Sequence, residues 1–139
     1  MADIHETEWR GSVDWADIDA MGHVNNLAIL RYIQSARVVM CASLGVMREA
    51  VSPKIGPIVA HIDIQFRAPL KYPAEVCVLT RLVGRGRTSF ELEHTVVDGE
   101  GRTVADEREV MVYYDYVRAV KASLPDNFPP VSAAGLIKK

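Results

Sequence analysis

The chain has 139 residues, 49% of them hydrophobic and 24% charged, with a formal net charge of -2. That length fits one domain, and that composition is globular, which excludes a disordered chain. The slight acidity argues against general nucleic-acid binding, which needs a basic face, and no apolar run approaches the ~20 residues that cross a bilayer.

The residues Met1-Ala2-Asp3-Ile4-His5-Glu6 are acidic and lack a basic stretch ahead of an apolar one. No secretory signal is expected, and the expected location is the cytoplasm. The first strand is expected over Glu8 to Trp15. A polar, glycine-containing stretch from Asp14 to Asn26 follows. A helix is expected over Asn26 to Leu44, because Ile29, Ile33, Ala36, Met40 and Leu44 recur at spacings of three and four. Leu30, Val38, Val39 and Cys41 widen its apolar face, so burial on several sides is expected. Asn25 or Asn26 can cap its start and Gly45 can end it.

Between Ile58 and Arg67, Ala60, Ile62, Ile64 and Phe66 alternate with His61, Asp63, Gln65 and Arg67, the period of a strand with one face inward. Pro69 and Pro73 end it. Glu75 to Val83 reads as a more uniformly apolar strand, and Gly84-Arg85-Gly86-Arg87 as a turn. Ser89 to Val97 alternates again. Asp98-Gly99-Glu100-Gly101 is a hairpin signal, and Arg102 to Asp115 is the last and longest strand, with Val110, Val112 and Tyr114 on one face. The tail after Leu124, with Pro125, Pro129 and Pro130, is expected to be irregular. The whole is an α+β domain: one apolar helix beside an antiparallel sheet of about five strands, with no repeat and no linker. A leftover apolar face or an exposed edge strand would be met by a second copy, so a homodimer at least is expected.

Cys41 and Cys77 lie in apolar surroundings and are expected as buried thiols in a reducing compartment. No Cys-x-x-Cys is present, and no His/Cys cluster has zinc spacing, so neither a metal nor another cofactor is expected.

The chemistry should lie just ahead of the helix, where Asp14, Asp17, Asp19, Gly22, His23, Asn25 and Asn26 come together. The free backbone N–H groups of a helix N-terminus attract negative charge, including a developing oxyanion. A nearby carboxylate can act as nucleophile or as general base toward water. These residues fit acyl transfer or hydrolysis, and they equally fit a turn in which Asp17 and Asp19 are cap residues.

The stretch Trp15-Ala16-Asp17-Ile18-Asp19-Ala20-Met21-Gly22-His23-Val24-Asn25-Asn26, followed by Tyr32 and Ala36-Arg37, resembles the signature of the 4-hydroxybenzoyl-CoA thioesterase-like family of hotdog proteins. The similarity continues through Phe66-Arg67-Ala68-Pro69-Leu70 and Gly86-Arg87-Thr88-Ser89-Phe90 and covers about Glu8 to Pro125. The resemblance implies the hotdog fold and hydrolysis of acyl–coenzyme A thioesters. It implies Asp19 as the catalytic carboxylate, the backbone N–H of Asn26 as the group polarising the thioester carbonyl, and Gly22 as the residue that brings the backbone close to substrate. It makes Asp17 structural. It also implies a homodimer, or a tetramer built as a dimer of dimers.

His23 either orients Asp19 or holds the turn together. His94 falls in register with Phe90, Leu92 and Val96 and is expected as a satisfied buried histidine; His61 is expected at the surface. Arg67, Lys71, Arg81, Arg85 and Arg87 form either a solvated face or a cradle for the coenzyme A phosphates, with Arg85 and Arg87, then Arg67, the candidates. Trp9 and Trp15 either border the site or belong to the core or an interface. Two other readings share the fold: an acyl-carrier-protein thioesterase, and a non-catalytic acyl-binding protein. A hotdog dehydratase would want a His/acid pair on the helix, and none occurs between Leu27 and Leu44.

Overall fold

The computed structural model describes residues 5–47 and 54–131. The first four residues and the 132–139 part of the expected irregular tail lie outside them. One helix, α1 (Asn26–Ser43), lies against a sheet built from β1 (Glu6–Ser12), β2 (Ile55–Phe66), β3 (Glu75–Arg85), β4 (Ser89–Asp98), β5 (Thr103–Asp115) and β6 (Val120–Lys121). Pairing is antiparallel throughout, in the order β1-β3-β4-β5-β2. The strand–helix–strands order expected from the sequence is observed. No helix among the described residues is long and apolar enough to cross a membrane.

The helix begins and ends where its sequence says. The Asn25 side chain accepts the Ala28 N–H at 2.8 Å, satisfying one of the donors a helix start leaves free. Gly45 adopts φ +76°, and the N–H groups of Gly45 and Val46 return to the carbonyls of Ala42 and Cys41. This is a Schellman ending, and its left-handed residue favours glycine. The buried face of α1 carries Ile29, Ile33, Ala36 and Met40 as expected, but Val38 and Val39 are 44% and 39% exposed, so the helix is buried on one side and not on several. It packs over β1, β3 and β4.

Several boundaries moved. β1 ends at Ser12, not Trp15, because the Val13 N–H turns aside to the Ala74 carbonyl and Asp14 caps a short 3-10 turn, Trp15–Asp17. β3 continues through Gly84 to Arg85, where a turn was expected, because a bulge between Leu82 and Gly84 absorbs the irregularity. β6, which had no sequence expectation, pairs Val120 and Lys121 with Asp115 and Tyr114. Cys77, expected buried, is half-exposed on the face of the sheet away from the helix; Cys41 is buried.

On β5, Val110, Val112 and Tyr114 share a face as expected; it is the face away from the helix, and they are half-buried. The face toward the helix carries Ala105, Glu107, Glu109 and Met111, all buried. Two acids occupy core positions because His94 and Arg37 lie against them. Across the sheet at this level Thr7, Thr80, His94 and Glu107 stand opposite one another on β1, β3, β4 and β5. This polar row separates two apolar clusters. One holds Val24, Ile29, Ile33, Val78 and Val96; the other holds Met40, Leu44, Phe90, Leu92 and Phe128.

Ile33 is fully buried at the centre of the first cluster's helix face. Ile33→Ala is expected to lower the free energy of unfolding by about 2–5 kcal/mol, measured in urea, because close-packed interiors relax only partly around a deletion.

Candidate active site

The site starts with a buried carboxylate. Asp17 is 4% exposed at the end of the 3-10 turn. Its Oδ2 accepts the Tyr32 hydroxyl at 2.7 Å and the Asp14 N–H at 3.2 Å, and its Oδ1 takes the Arg31 guanidinium. Its carbonyl accepts both the backbone and the side-chain N–H of Asn25, at 2.9 and 3.0 Å. One residue thus ties the loop to the first two turns of α1 and holds the helix cap. Burial acts to raise the Asp17 pKa, but the Tyr32, Arg31 and Asp14 donors outweigh it and hold the carboxyl below its usual range. Burial and the adjacent carboxylate push the Tyr32 phenol up. The structural role expected of Asp17 is what this geometry provides.

From Ile18 the chain makes a small loop closed by a bridge between Ile18 and Val24. The Asp19 N–H donates to the His23 carbonyl at 2.8 Å, and the Gly22 N–H to the Asp19 carbonyl at 3.1 Å. Gly22 takes φ +81°, a conformation that glycine adopts without cost. The Asp19 side chain is exposed. Its Oδ1 accepts the N–H groups of Met21 at 2.9 Å and His23 at 3.3 Å. Its Oδ2 has no partner among the described residues.

Asp19, His23, Asn26, Ile29, Phe66 and Arg67 line one cavity of about 330 Å³ at the N-terminus of α1, with Val24 and Leu70 among its apolar walls. Asn26 is the first residue of the helix, and neither its N–H nor that of Leu27 has an intramolecular acceptor among the described residues. The Asp19 carboxylate and the first residue of the helix, Asn26, therefore border the same space. That pairing suits a reaction in which negative charge develops on a carbonyl oxygen. A larger hollow of about 430 Å³ lies on the opposite face of the sheet, beside Glu8, Cys77 and Asp98, but no helix terminus opens into it.

Of the remaining candidates, Arg67 reaches the cavity wall while its guanidinium pairs with Asp106 at 3.0 Å. Arg81 pairs with Glu6 and Glu93 on the outer face. Arg85 and Arg87 lie elsewhere in the protomer. Phe66 stands level with Val96, through Ala105, whereas Arg85 stands level with Phe90. Six residues of β4 separate the two levels, about 20 Å at ~3.4 Å per residue. Arg85 stacks over Phe128 at 4.9 Å, and Arg87 donates to the Ser123 hydroxyl at 2.9 Å, so both fasten the C-terminal segment. Trp9 stacks on Tyr32 inside the fold, whereas Trp15 is exposed and meets Tyr72 edge-on.

Sequence reasoning missed a second cluster. His94 Nδ1 lies 2.9 Å from Glu107 Oε1 and 3.1 Å from Glu109 Oε1, and Arg37 forks onto Glu109 at 2.5 and 2.9 Å. One side-chain N or O atom from each of His94, Glu107 and Glu109 lies within 4.8 Å of the others. The Arg37 guanidinium already neutralises one of the carboxylates. Hairpin counting about Asp98–Gly101 does not find this pair, because a register shift between Val96 and Val97 is what sets His94 opposite Glu107.

A family model described as the thioesterase-like superfamily matches residues 13–134. Among solved structures, a thioesterase from Thermus thermophilus complexed with coenzyme A and zinc superposes with a TM-score of 0.76 at 28% identity, covering 91% of this chain and 94% of that one. A gentisyl-coenzyme A thioesterase, BH1999, gives 0.78 at 25% identity over 87% and 98% of the two chains. The PA2801 protein of Pseudomonas aeruginosa gives 0.79 at 27% identity over 86% and 92%. No curated protein sequence matches significantly.

Tyr32→Phe removes one donor from the buried Asp17 carboxylate. Hydrogen bonds to charged groups contribute about 1.5–3 kcal/mol, so the variant should unfold at lower urea by that order. Because the native carboxyl pKa is depressed, Asp17 stabilises the fold above its unfolded value of 3.8, and that stability disappears as pH falls through the native value. Asp17→Asn should flatten this acid limb in an unfolding series.

Proposed function

The chain belongs to the thioesterase-like superfamily, and we propose that it hydrolyses acyl–coenzyme A thioesters with Asp19 as the reacting carboxylate. One observation carries the reading: Asp19, whose Oδ2 has no partner among the described residues, and Asn26, the first residue of the helix, line the same cavity. The family and the solved structures support thioester hydrolysis in general. Two of those structures are named for coenzyme A, as ligand or in the substrate, and the carrier is taken from them.

On this reading the thioester carbonyl accepts the Asn26 N–H, with the partial positive charge of the helix terminus behind it. Asp19 then follows one of two routes. As nucleophile it bonds to the carbonyl carbon, the carbon–sulfur bond breaks, and the thiolate leaves; water hydrolyses the resulting mixed anhydride. As general base it takes a proton from water, whose oxygen attacks the same carbon. Both end in free acid and coenzyme A thiol. The two N–H bonds to Oδ1 aim Oδ2 and keep the carboxylate from turning. Gly22 permits the turn that supplies those donors, and His23 contributes its backbone and a wall of the cavity. Neither route calls for a metal or an organic cofactor.

We place the working unit as a homodimer. β2 is an edge strand, and Ile62 and Phe66 on its helix-side face are 40% and 49% exposed, which a second copy pairing along this edge would cover. Arg85, at the end of β3, and Arg87, in the turn after it, stand at the end of the sheet away from the cavity, and we assign them to the coenzyme A phosphates from a second copy.

The direct experiment is thiol release from short, medium, long and aromatic acyl-coenzyme A substrates, with wild type beside Asp19→Asn. The variant should lose at least about a hundredfold in kcat, the scale of a positioned acid–base group, with an unaltered urea midpoint. Unchanged turnover in a folded Asp19→Asn protein sinks the assignment. For the dimer, Ile62→Lys should shift the sedimentation coefficient to that of a monomer while the circular dichroism spectrum stays native.

A further inference from the structure

The quartet of Arg37, His94, Glu107 and Glu109 plays no part in the proposed chemistry, yet His94 and the two glutamates are at most 2% exposed. Its charges do not balance by themselves. Arg37 carries one positive charge that it does not give up. Two ionised carboxylates against it leave one negative charge in the core, and an uncompensated buried charge is costly. Among the described residues the surroundings offer nothing more. From α1 only Arg37 and the neutral Cys41 face the group. β3 and β1 present the hydroxyls of Thr80 and Thr7, and β2 presents Ile62 and Ile64. Glu109 is well served: Arg37 forks onto it and His94 Nδ1 lies 3.1 Å away. Glu107 is not: its Oε2 accepts no hydrogen bond among the described residues and stands 3.8 Å from Arg37. The poorly solvated oxygen and the ring nitrogen within reach of both carboxylates mark where a proton restores neutrality.

We propose that the quartet keeps one proton, shared between His94 and Glu107, inside the core at neutral pH, and that losing it to base loosens α1 from the sheet. The electrostatics agree with the geometry. Burial works to lower the His94 pKa, but the two glutamates outweigh it and raise it. Burial pushes the Glu107 carboxyl up to about 7. Burial would raise Glu109 too, but His94 and Arg37 bring it down to about 2.

The direction of the stability change follows from linkage. His94 and Glu107 hold their protons more tightly folded than unfolded, where their values are 6.5 and 4.5. Their contribution is complete below those unfolded values and is lost as pH rises through the folded ones. Glu109 works oppositely: its contribution is present above 4.5 and lost as pH falls toward about 2. Stability from the quartet therefore peaks in mildly acidic solution and declines on the alkaline side. Cys41 and Cys77, pushed up to about 12 and about 11 by burial, add their own alkaline loss only near and above their unfolded value of 9.0.

The test is urea unfolding of the full chain between about pH 6.5 and about pH 8.5, below the thiol range, for wild type and Glu107→Gln. Where the folded protein holds one extra proton, the wild-type unfolding constant should rise toward about tenfold per pH unit. Glu107→Gln leaves Arg37 and Glu109 balanced without a proton, so its unfolding constant should stay level across the window. The His94 ring, followed by NMR in the wild type, should titrate above the unperturbed histidine value of about 6.5. A level wild-type series, an equal slope in Glu107→Gln, or a His94 midpoint at or below that value would each overturn the proposal. The wild-type readings stand even if the variant does not fold.

Discussion

One helix cannot cover this sheet. Its diameter is about 10 Å with side chains, whereas five strands spaced ~4.8 Å apart span about 19 Å. Where the helix lies then decides what is left open. α1 sits over β1, β3 and β4, so the helix-side face of β5 is covered by apolar side chains only in part and that of β2 lies beyond the helix. β2 carries Ile62 and Phe66 there, and they stay half in solvent in the protomer. β5 carries Glu107 and Glu109 there, and only the long Arg37 side chain reaches from the helix to meet them. The uncovered flank, the buried ion cluster and the position of the cavity beside Phe66 are consequences of the same shortfall in width.

Two aspartates two residues apart show how local geometry divides labour. Asp17 is buried and every oxygen is occupied, by Tyr32, Asp14, Arg31 and, through its carbonyl, Asn25. A carboxylate so fully engaged has no lone pair to spare for a substrate, but it fixes the angle at which the loop enters α1. Asp19 lies outside that clamp. Two backbone donors hold one of its oxygens and leave the other open to the cavity. The first acid makes the second one precise, because the Asn25 cap and the Asn26 N–H both hang from the Asp17 carbonyl.

The helix and the long strands were legible because their apolar periods are long and uninterrupted, and Asn25 and Gly45 mark the helix ends by backbone chemistry. The loop from Asp14 to Asn26 was legible as a candidate site, since the resemblance and the residue types pointed there together. Other features were hidden for definite reasons. The burial of Glu107 and Glu109 was not legible, because an alternating strand does not say which face is buried when both carry apolar residues. Their burial depends on Arg37 and His94, far away in sequence. β6 is too short to have a period. Arg85 and Arg87 read as either a solvated face or a phosphate cradle, and the turn expected at Gly84 and Arg85 was hidden because a bulge keeps Arg85 in the strand, where it covers Phe128. Chain proximity of cations to a turn carries no information about which end of a sheet that turn will occupy.

The polar row also explains why the core comes in two parts. Below it, Val24, Ile29, Ile33, Val78 and Val96 pack beneath the helix start and support the cavity. Above it, Met40, Leu44, Phe90 and Leu92 pack beneath the helix end, sealed by Leu124 and Phe128 from the C-terminal segment that Arg85 and Arg87 hold down. An unbroken apolar core would bind α1 by non-directional contacts and tolerate small slides along the sheet. The Arg37 fork onto Glu109 is directional, and a guanidinium can satisfy both oxygens in only one register. Placed midway along α1, it fixes the helix lengthwise, while the Asp17 clamp fixes its first turns. The N–H groups at Asn26 are therefore located by two independent ion pairs, one at each end of the first apolar cluster, and a reaction that depends on aiming a helix terminus at a developing oxyanion gains from both.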